Sequence, residues 1–191
     1  MKVYPMRRKD RQAGEEDILR ILKENVYGVL STISEDGWPY GVPVSYVYED
    51  GKIYFHSATM GHKVDNLAHS EKASFCVVGK TELLPEQFST RYESVIAFGT
   101  VTKLEGQDKI DGLMKLVDAL SEGYQELGLK KAEAGVNHYN SYCLTIEEGN
   151  KGNKGYTKNR PAEGLFFIWG VLAVLRTPLT LATSTPSLYI C

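Results

Sequence analysis

Three short segments rich in β-forming residues follow one another between residues 26 and 57, and two Glu-Asp-Gly turns separate them. The segments are Val26–Ile33, Trp38–Tyr48 and Lys52–Ser57, and the turns are Glu35–Gly37 and Glu49–Gly51. Asp-Gly between such segments is a strong local signal for a β-hairpin. The pattern therefore predicts three consecutive antiparallel strands, and Pro39 and Pro43 predict an edge or a bulge within the second.

The rest of the pattern adds three strands and three helices. Strands are predicted at Ala73–Val78, Ser94–Leu104 and Tyr139–Glu147, and helices at Glu15–Asn25, Gly61–Ser70 and Gln107–Leu127. The last helix keeps its apolar residues at spacings of three and four, and Gly99 predicts a bulge. The predicted fold is mainly β with added α, a six-stranded antiparallel barrel with flanking helices.

The composition changes abruptly after residue 148, so residues 1–148 are predicted to form one domain and residues 149–191 an atypical tail. The tail holds a polar Gly/Asn/Lys stretch and then an uncharged run, Gly164–Leu175. Twelve residues are too few for a membrane span, which needs about 20. Membrane anchoring is not expected. Docking onto the domain or a partner, disorder, and a shifted reading frame all stay open for the tail.

Charge and cysteine content narrow the class of protein. The net charge is −2, which argues against a general nucleic-acid binder. Three cysteines do not make a disulfide framework, and no apolar signal sequence follows the N-terminus, so a reducing cytoplasm is expected. Cys76 is interpreted as a small buried apolar residue rather than a redox thiol.

The most informative segment, Tyr54–Leu67, predicts a strand end, a small-residue turn and a helix start. Such a turn exposes backbone N–H groups, and a helix N-terminus favours an anion. Lys63 and His62 add positive charge there, and Ser57 offers a hydroxyl group. This segment could cradle a phosphate. The alternative is a capped helix with Lys63 in solvent, because neither the Walker nor the dinucleotide glycine spacing is present.

Four stretches, in order along the chain, resemble the FMN-binding split-barrel superfamily related to pyridoxamine 5'-phosphate oxidase. They are Met6–Arg11, Gly28–Thr32 with Pro39–Ser45, Tyr54–Ala58 with Gly61–Leu67, and Tyr92–Gly99. Within that superfamily the chain is most similar to the Nim-type 5-nitroimidazole-resistance branch. The oxidase's own substrate-binding arginine and histidine motif is missing, so oxidation of pyridoxamine phosphate is not predicted.

The resemblance implies a homodimer with FMN in clefts between the two copies. It places Pro43, Val44 and Ser45 along the flavin ring. It places His56, Ser57 and Ala58 near the ring and the ribityl chain, and His62 and Lys63 at the phosphate. The phosphate cradle read from the residues and the site implied by the resemblance thus fall on the same segment.

The chemistry implied is that of an FMN-dependent oxidoreductase with a nicotinamide nucleotide as donor and a small molecule as acceptor. The acceptor of the Nim-type branch is a nitro compound, and His56 is the candidate catalytic residue. Two alternatives stay open. The first is a haem-binding or haem-degrading protein with His56, His62 or His69 as iron ligand. The second is a flavin-binding module without enzymatic activity.

Overall fold

The computed structural model of the chain describes residues 9–147. The strands are β1 (Tyr27–Ile33), β2 (Pro39–Glu49), β3 (Lys52–Ala58), β4 (Lys72–Leu84), β5 (Ser89–Leu104) and β6 (Tyr139–Ile146). The α-helices are α1 (Glu15–Glu24), α2 (His62–His69), α3 (Gly106–Leu120) and α4 (Gln125–Ala134), with 3-10 turns at Lys9–Arg11 and Pro85–Gln87. The predicted tail, residues 149–191, lies outside the described residues.

The strands close into a barrel in the order β1-β2-β3-β6-β5-β4, and β4 pairs back onto β1. Every neighbouring pair is antiparallel. This topology confirms the predicted six-stranded antiparallel barrel. The first three strands are joined by tight turns, α2 leads from β3 to β4, and the α3–α4 pair leads from β5 back to β6.

The barrel interior is filled by alternate side chains of the strands, and α1 closes one end. Phe55 and Phe75 are fully buried in this core, as is Ile21 of α1. Burying a side chain of this size contributes roughly 1.5–3 kcal/mol. Tyr46 is also buried, and its hydroxyl donates to the Leu22 carbonyl at 2.8 Å, so the polar group of this core side chain is satisfied.

Strand β2 changes partners along its length. Residues 39–45 pair with β1, whereas the ladder with β3 covers only residues 46–49 of β2. The first half of β2 therefore has an edge that β3 does not pair. Both Pro39 and Pro43 lie in this half, where a missing N–H costs least, so the predicted edge is confirmed.

The outer surface of the barrel has two different walls. Helix α3 packs over the outer faces of β3 and β6, which we call the covered wall. Lys115 of α3 lies over the Tyr54 ring, and Cys143 of β6 is buried although it points out of the barrel. The second wall, which we call the open wall, is covered by no described helix. It consists of the outer faces of β1, the first half of β2, β4 and the part of β5 that pairs with β4. Its exposed apolar side chains include Val29 and Ile96.

The single long helix predicted at Gln107–Leu127 is wrong, because the chain forms two helices there. Helix α3 ends at Leu120, and the turn before α4 contains Gly123 at φ 85°, a left-handed conformation that favours glycine. The apolar spacing continues across the break because Leu120 and Leu127 line one common cavity. Periodicity alone therefore could not reveal the turn.

The bulge predicted at Gly99 is also wrong. Gly99 pairs in register with Ala73 and Ile146, and a Cβ built on it would lie 2.2 Å from the Thr145 carbonyl oxygen. The glycine is needed for close approach of two backbones rather than for an extra residue. The shift in register falls instead between Val78 and Thr81.

The hairpin made by β4 and β5 is longer than predicted. Strand β4 continues beyond Val78 to Leu84, and β5 starts at Ser89 instead of Ser94. Within residues 9–147, no helix is long and apolar enough to cross a bilayer.

Candidate functional site

Helix α2 begins with an open N-terminus. Its N-cap is Gly61 at φ 124°, and a Cβ built on Gly61 meets no atom within 4 Å. The N–H groups of Val64 and Asp65 both donate to the Gly61 carbonyl, at 2.8 and 3.1 Å. The first two helical residues, His62 and Lys63, contribute the N–H groups that have no acceptor within the helix. These donors and the open space before them are the features that an anion requires.

The His62 ring is fixed against the end of the β1–β2 hairpin. Its Nε2 is hydrogen-bonded to Ser34 Oγ at 2.8 Å, and its ring centroid lies 4.1 Å from that of Tyr40. The roles of Ser34 and Tyr40 could not be predicted from the sequence, because their contact with His62 arises only when α2 folds back onto the hairpin. His62 thus helps to hold the start of α2, and one of its ring nitrogens is already engaged.

A buried amide holds the middle of α2 against the barrel. Asn66 is buried, and its Nδ2 donates to Thr32 Oγ1 at 3.0 Å. Such an enclosed hydrogen bond is worth about 1 kcal/mol, and leaving either partner unpaired would cost more. The orientation of α2 relative to β1 is therefore fixed at both its first and its second turn.

Lys63 is the basic residue at this helix start that stays available. It is partly buried, and within residues 9–147 it forms no ion pair or side-chain hydrogen bond. Asp65 also lies in the first turn, but it is exposed. The side chains at this end of α2 therefore offer one free ammonium group beside two free backbone donors.

Two strand edges face each other next to this helix start. The β2–β3 ladder ends at the pair Tyr46–Phe55, so Ser45 and His56 stand where the strands separate. The Tyr46 N–H donates towards β1, to the Val26 carbonyl at 3.2 Å. Because successive N–H groups of a strand point to opposite edges, the Ser45 N–H points towards β3. The edges of β2 and β3 thus leave a gap with a backbone donor at its border.

The candidate residues of these two strands divide between the inside and the outside of the barrel. Pro43 and Ser45 are exposed on the outer surface, whereas Val44 is buried in the core and can offer only its backbone to a ligand. On β3, His56 and Ala58 point outwards and Ser57 points inwards. The Ser57 hydroxyl donates to the Ala58 carbonyl at 2.5 Å, so it is not a free donor.

His56 lies on the outer face of β3 with a pKa lowered from its usual 6.5. Burial is the larger cause and the positive charge of Lys63 is the smaller one. The lowered pKa favours the neutral imidazole, in which one ring nitrogen donates and the other accepts. Its ring meets Tyr139 of β6 edge-on, at a centroid distance of 6.2 Å. Lys63 therefore lies close enough for its positive charge to act on the imidazole of His56.

A cavity of about 780 Å³ opens beside His56, between the covered wall and the α3–α4 pair. His56 and Tyr139 border it on the side of the strands, and apolar side chains of both helices form most of the remaining lining. This cavity was not predicted from the sequence. Its lining comes from residues more than fifty positions apart, and the turn that brings α4 beside α3 was not recognised.

The remaining candidates behave as ordinary structural groups. Cys76 is partly buried, and burial raises its pKa, which disfavours the reactive thiolate. Cys143 is buried. No group of three His, Cys, Asp or Glu side chains in the described part of the chain could hold a metal ion. His69, at the far end of α2, is exposed.

Comparison of the fold with solved structures places it among split-barrel proteins. A candidate 5-nitroimidazole antibiotic resistance protein of Bacteroides thetaiotaomicron is 18% identical, covers 71% of this chain and 81% of its own, and gives a TM-score of 0.58. An FAD-binding protein of Mesorhizobium loti is 22% identical over 71% of this chain and 90% of its own, with a TM-score of 0.51. The flavocytochrome Anf3 of Azotobacter vinelandii is 18% identical over 87% of both chains, with a TM-score of 0.58.

At these identities the similarity establishes the fold. None of the curated proteins matches the sequence at a significant level. A family model described as pyridoxamine 5'-phosphate oxidase matches residues 14–151, a span that contains all of the candidate site. The resemblance read from the sequence is thereby confirmed, and the chain belongs to the pyridoxamine 5'-phosphate oxidase family of split barrels.

Proposed function

We propose that the chain binds FMN, with the phosphate at the N-terminus of α2 and the flavin ring along the unpaired edges of β2 and β3. The observation that carries this proposal is the free Lys63 ammonium at the open start of α2, which closely follows the end of β3, the strand that borders the gap. Similarity to an FAD-binding protein and to a flavocytochrome supports a flavin ligand.

The residues present fit such a ligand. A phosphate near neutral pH carries between one and two negative charges, and Lys63 with two free N–H groups supplies the matching donors. Pro43 and Ala58 offer small exposed contacts for a flat ring, and the Ser45 N–H offers one donor at its edge. Val44 keeps this part of β2 in place because its side chain is anchored in the core.

We further propose that the flavoprotein is an oxidoreductase that takes electrons from a nicotinamide nucleotide and passes them to a small acceptor, with a nitroimidazole as the leading candidate. Bound FMN would supply transfer of one or two electrons. The neutral imidazole of His56 can donate or accept a hydrogen bond, and can carry a proton, at the border of the flavin site. Similarity to a candidate 5-nitroimidazole resistance protein supports this acceptor class.

The open wall supports a homodimer. Pro43, Val29, Cys76 and Ile96 are neighbours in register across four strands. This row of side chains continues from the proposed site of the flavin ring onto the uncovered outer face of the sheet. Such a surface is suited to contact with a second copy of the chain. In that assembly the flavin would lie at the border of the interface.

The test is the absorbance spectrum of the purified full-length chain, taken before and after addition of FMN, and followed by anaerobic addition of NADH or NADPH. We expect flavin bands that survive desalting and that bleach with one of the two donors. Bands that survive but never bleach would leave a flavin-binding module without oxidoreductase activity. No retained flavin would contradict the proposal.

Haem is the second candidate ligand, and one observation favours it. A neutral histidine at the border of an apolar cavity is the kind of group that ligates haem iron, and His56 occupies that position. Similarity to a flavocytochrome supports this alternative as well. A Soret band that appears on addition of haemin and disappears in His56→Ala, while added FMN is not retained, would assign the site to haem.

A further inference from the structure

We infer that the cavity between the covered wall and the α3–α4 pair is the acceptor site, and that it takes an uncharged planar aromatic molecule whose polar group faces His56. This inference rests on the proposed function, because it assigns a second ligand to the region that His56 shares with the proposed flavin site.

The size and lining of the cavity suit a small organic molecule. Its volume of about 780 Å³ lies within the range of ligand sites, roughly 300–1,000 Å³. Leu116 of α3 and Leu127 of α4 belong to a largely apolar lining, which favours an uncharged aromatic body. Its polar side chains are those of His56, Ser121, Glu122, Tyr124, Lys131 and Tyr139, and of these His56 and Tyr139 come from the strands. A mainly apolar pocket with a few fixed polar groups is typical of a specific small-molecule site.

The cavity is held open by close contact between its two helices. A Cβ built on Gly128 of α4 would lie 2.5 Å from Val117 of α3, so the helices approach as closely as a glycine permits. A Cβ on Gly112 would lie 2.7 Å from Ser141 Oγ on β6, so α3 is equally close to the sheet. Two such contacts fix the helix pair without a ligand, and a preformed pocket loses little conformational entropy on binding.

His56 joins the two regions. It borders the cavity, and it also stands where β2 and β3 separate, beside the proposed ring site. An aromatic molecule in the cavity would therefore have its polar group next to the side chain that can donate a hydrogen bond to it. Lys131, on the α4 side, is the second polar group that could orient such a molecule.

The test measures binding of 2-methyl-5-nitroimidazole to the full-length chain by calorimetry, with and without FMN. The variant Leu127→Glu places a carboxylate in the lining, and Leu129→Glu is its control because Leu129 lies on the same helix, is similarly exposed and does not line the cavity. We expect Leu127→Glu to weaken binding of the probe at least tenfold and Leu129→Glu to change it less than twofold. We expect the Kd for FMN to stay the same in both variants.

A second pair examines the polar end of the cavity. Lys131→Met is expected to weaken binding of the probe three- to tenfold. Lys130→Met removes only an exposed ion pair with Glu126, so it is expected to leave binding of the probe unchanged. Absence of probe binding to the wild-type chain, or equal binding to all four variants, would overturn the inference while leaving FMN binding intact. Loss of FMN binding in Leu127→Glu would also overturn it, because the cavity would then belong to the cofactor. Probe binding without any retained FMN would contradict the proposed function and leave the cavity assignment standing.

Discussion

The covered and open walls of the barrel are built from the same kind of strand but have different surroundings. On the covered wall, residues Asn140–Leu144 of β6 are buried on both faces, because α3 takes the place of solvent outside the barrel. On the open wall, burial alternates along β1, and apolar residues such as Tyr27, at 65% exposure, remain uncovered. The difference indicates that one wall is completed within the chain, and it leaves the other uncovered, as the proposed homodimer requires.

The largest effect is expected from placing a carboxylate at each of the two cysteines that point out of the barrel. Cys143→Asp puts an unpaired charge beneath α3, which should cost more than about 4 kcal/mol and leave no folded chain. Cys76→Asp puts the same charge on the open wall, where the monomer should still fold but association should weaken at least 100-fold. Circular dichroism and analytical ultracentrifugation measure the two effects. A folded Cys143→Asp chain, or an unchanged association constant for Cys76→Asp, would contradict the distinction between the walls.

A pair of glycines sharpens the comparison with a smaller effect. Alanine normally stabilises a helix interior by up to about 1 kcal/mol relative to glycine, but at Gly112 its Cβ would collide with Leu104 and Ser141. We therefore expect Gly112→Ala to lower the free energy of unfolding by about 2 kcal/mol. Gly41→Ala on the open wall meets only ordinary contacts, the nearest at 3.4 Å from Val29, and should change the stability by less than about 0.5 kcal/mol. Stabilisation by Gly112→Ala in urea unfolding would show that α3 does not pack as described.

Strand β5 is joined to α1 by a charged contact through its inward face, which should make the stability of the chain depend on pH. Arg20 donates to both carboxylate oxygens of the buried Glu93, at 2.9 and 2.8 Å. This contact holds the pKa of Glu93 below its usual value of about 4.5. The stabilisation is therefore present above that value and is lost as the pH falls through the lowered pKa of the folded state.

We expect Glu93→Gln to destabilise the chain by about 2 kcal/mol at neutral pH, because a hydrogen bond between charged groups is lost. The difference from wild type should shrink towards pH 3. Urea unfolding measured over this pH range is the check, and a difference that stays constant would argue against a charged contact.

The smallest effect concerns His56 at the edge of the covered wall. Because Lys63 contributes to the lowered pKa of His56, Lys63→Ala should raise that pKa, while burial should still hold it below 6.5. Titration followed by NMR of the imidazole protons measures the change. An unaltered pKa in Lys63→Ala would mean that the two side chains do not share one region.

The barrel was predictable because its signals are local. Turn residues such as Gly37 and Gly51 adopt positive φ, as the hairpin pattern requires. The alternation of apolar residues shows which face of each strand points into the barrel. The break between α3 and α4 was not predictable from spacing, because Leu120 and Leu127 serve one cavity from two helices. Gly99 was misread because a glycine that permits close backbone approach looks the same in sequence as one that marks a bulge.

The candidate site was predictable only in part. The segment from His56 to Lys63 could be identified because a strand end, a turn and a helix start follow one another in the sequence. The hydrogen bond between Ser34 and His62, the inward direction of Ser57 and the cavity beside Tyr139 depend on tertiary packing. No local pattern carries information about those contacts.

If the start of α2 holds a phosphate, as we propose, the chain must distinguish FMN from riboflavin, which lacks the phosphate. The measurement is the Kd of both ligands by fluorescence quenching for wild type, for Lys63→Ala and for the exposed control Lys103→Ala. We expect FMN to bind wild type more tightly than riboflavin does. We expect Lys63→Ala to weaken binding of FMN about 10- to 100-fold, which corresponds to about 1.5–3 kcal/mol for a charged hydrogen bond. We expect the Kd for riboflavin to stay the same in Lys63→Ala, and both Kd values to stay the same in the control. Equal affinity of wild type for the two ligands, or an equal loss for both in Lys63→Ala, would mean that the start of α2 does not hold the phosphate.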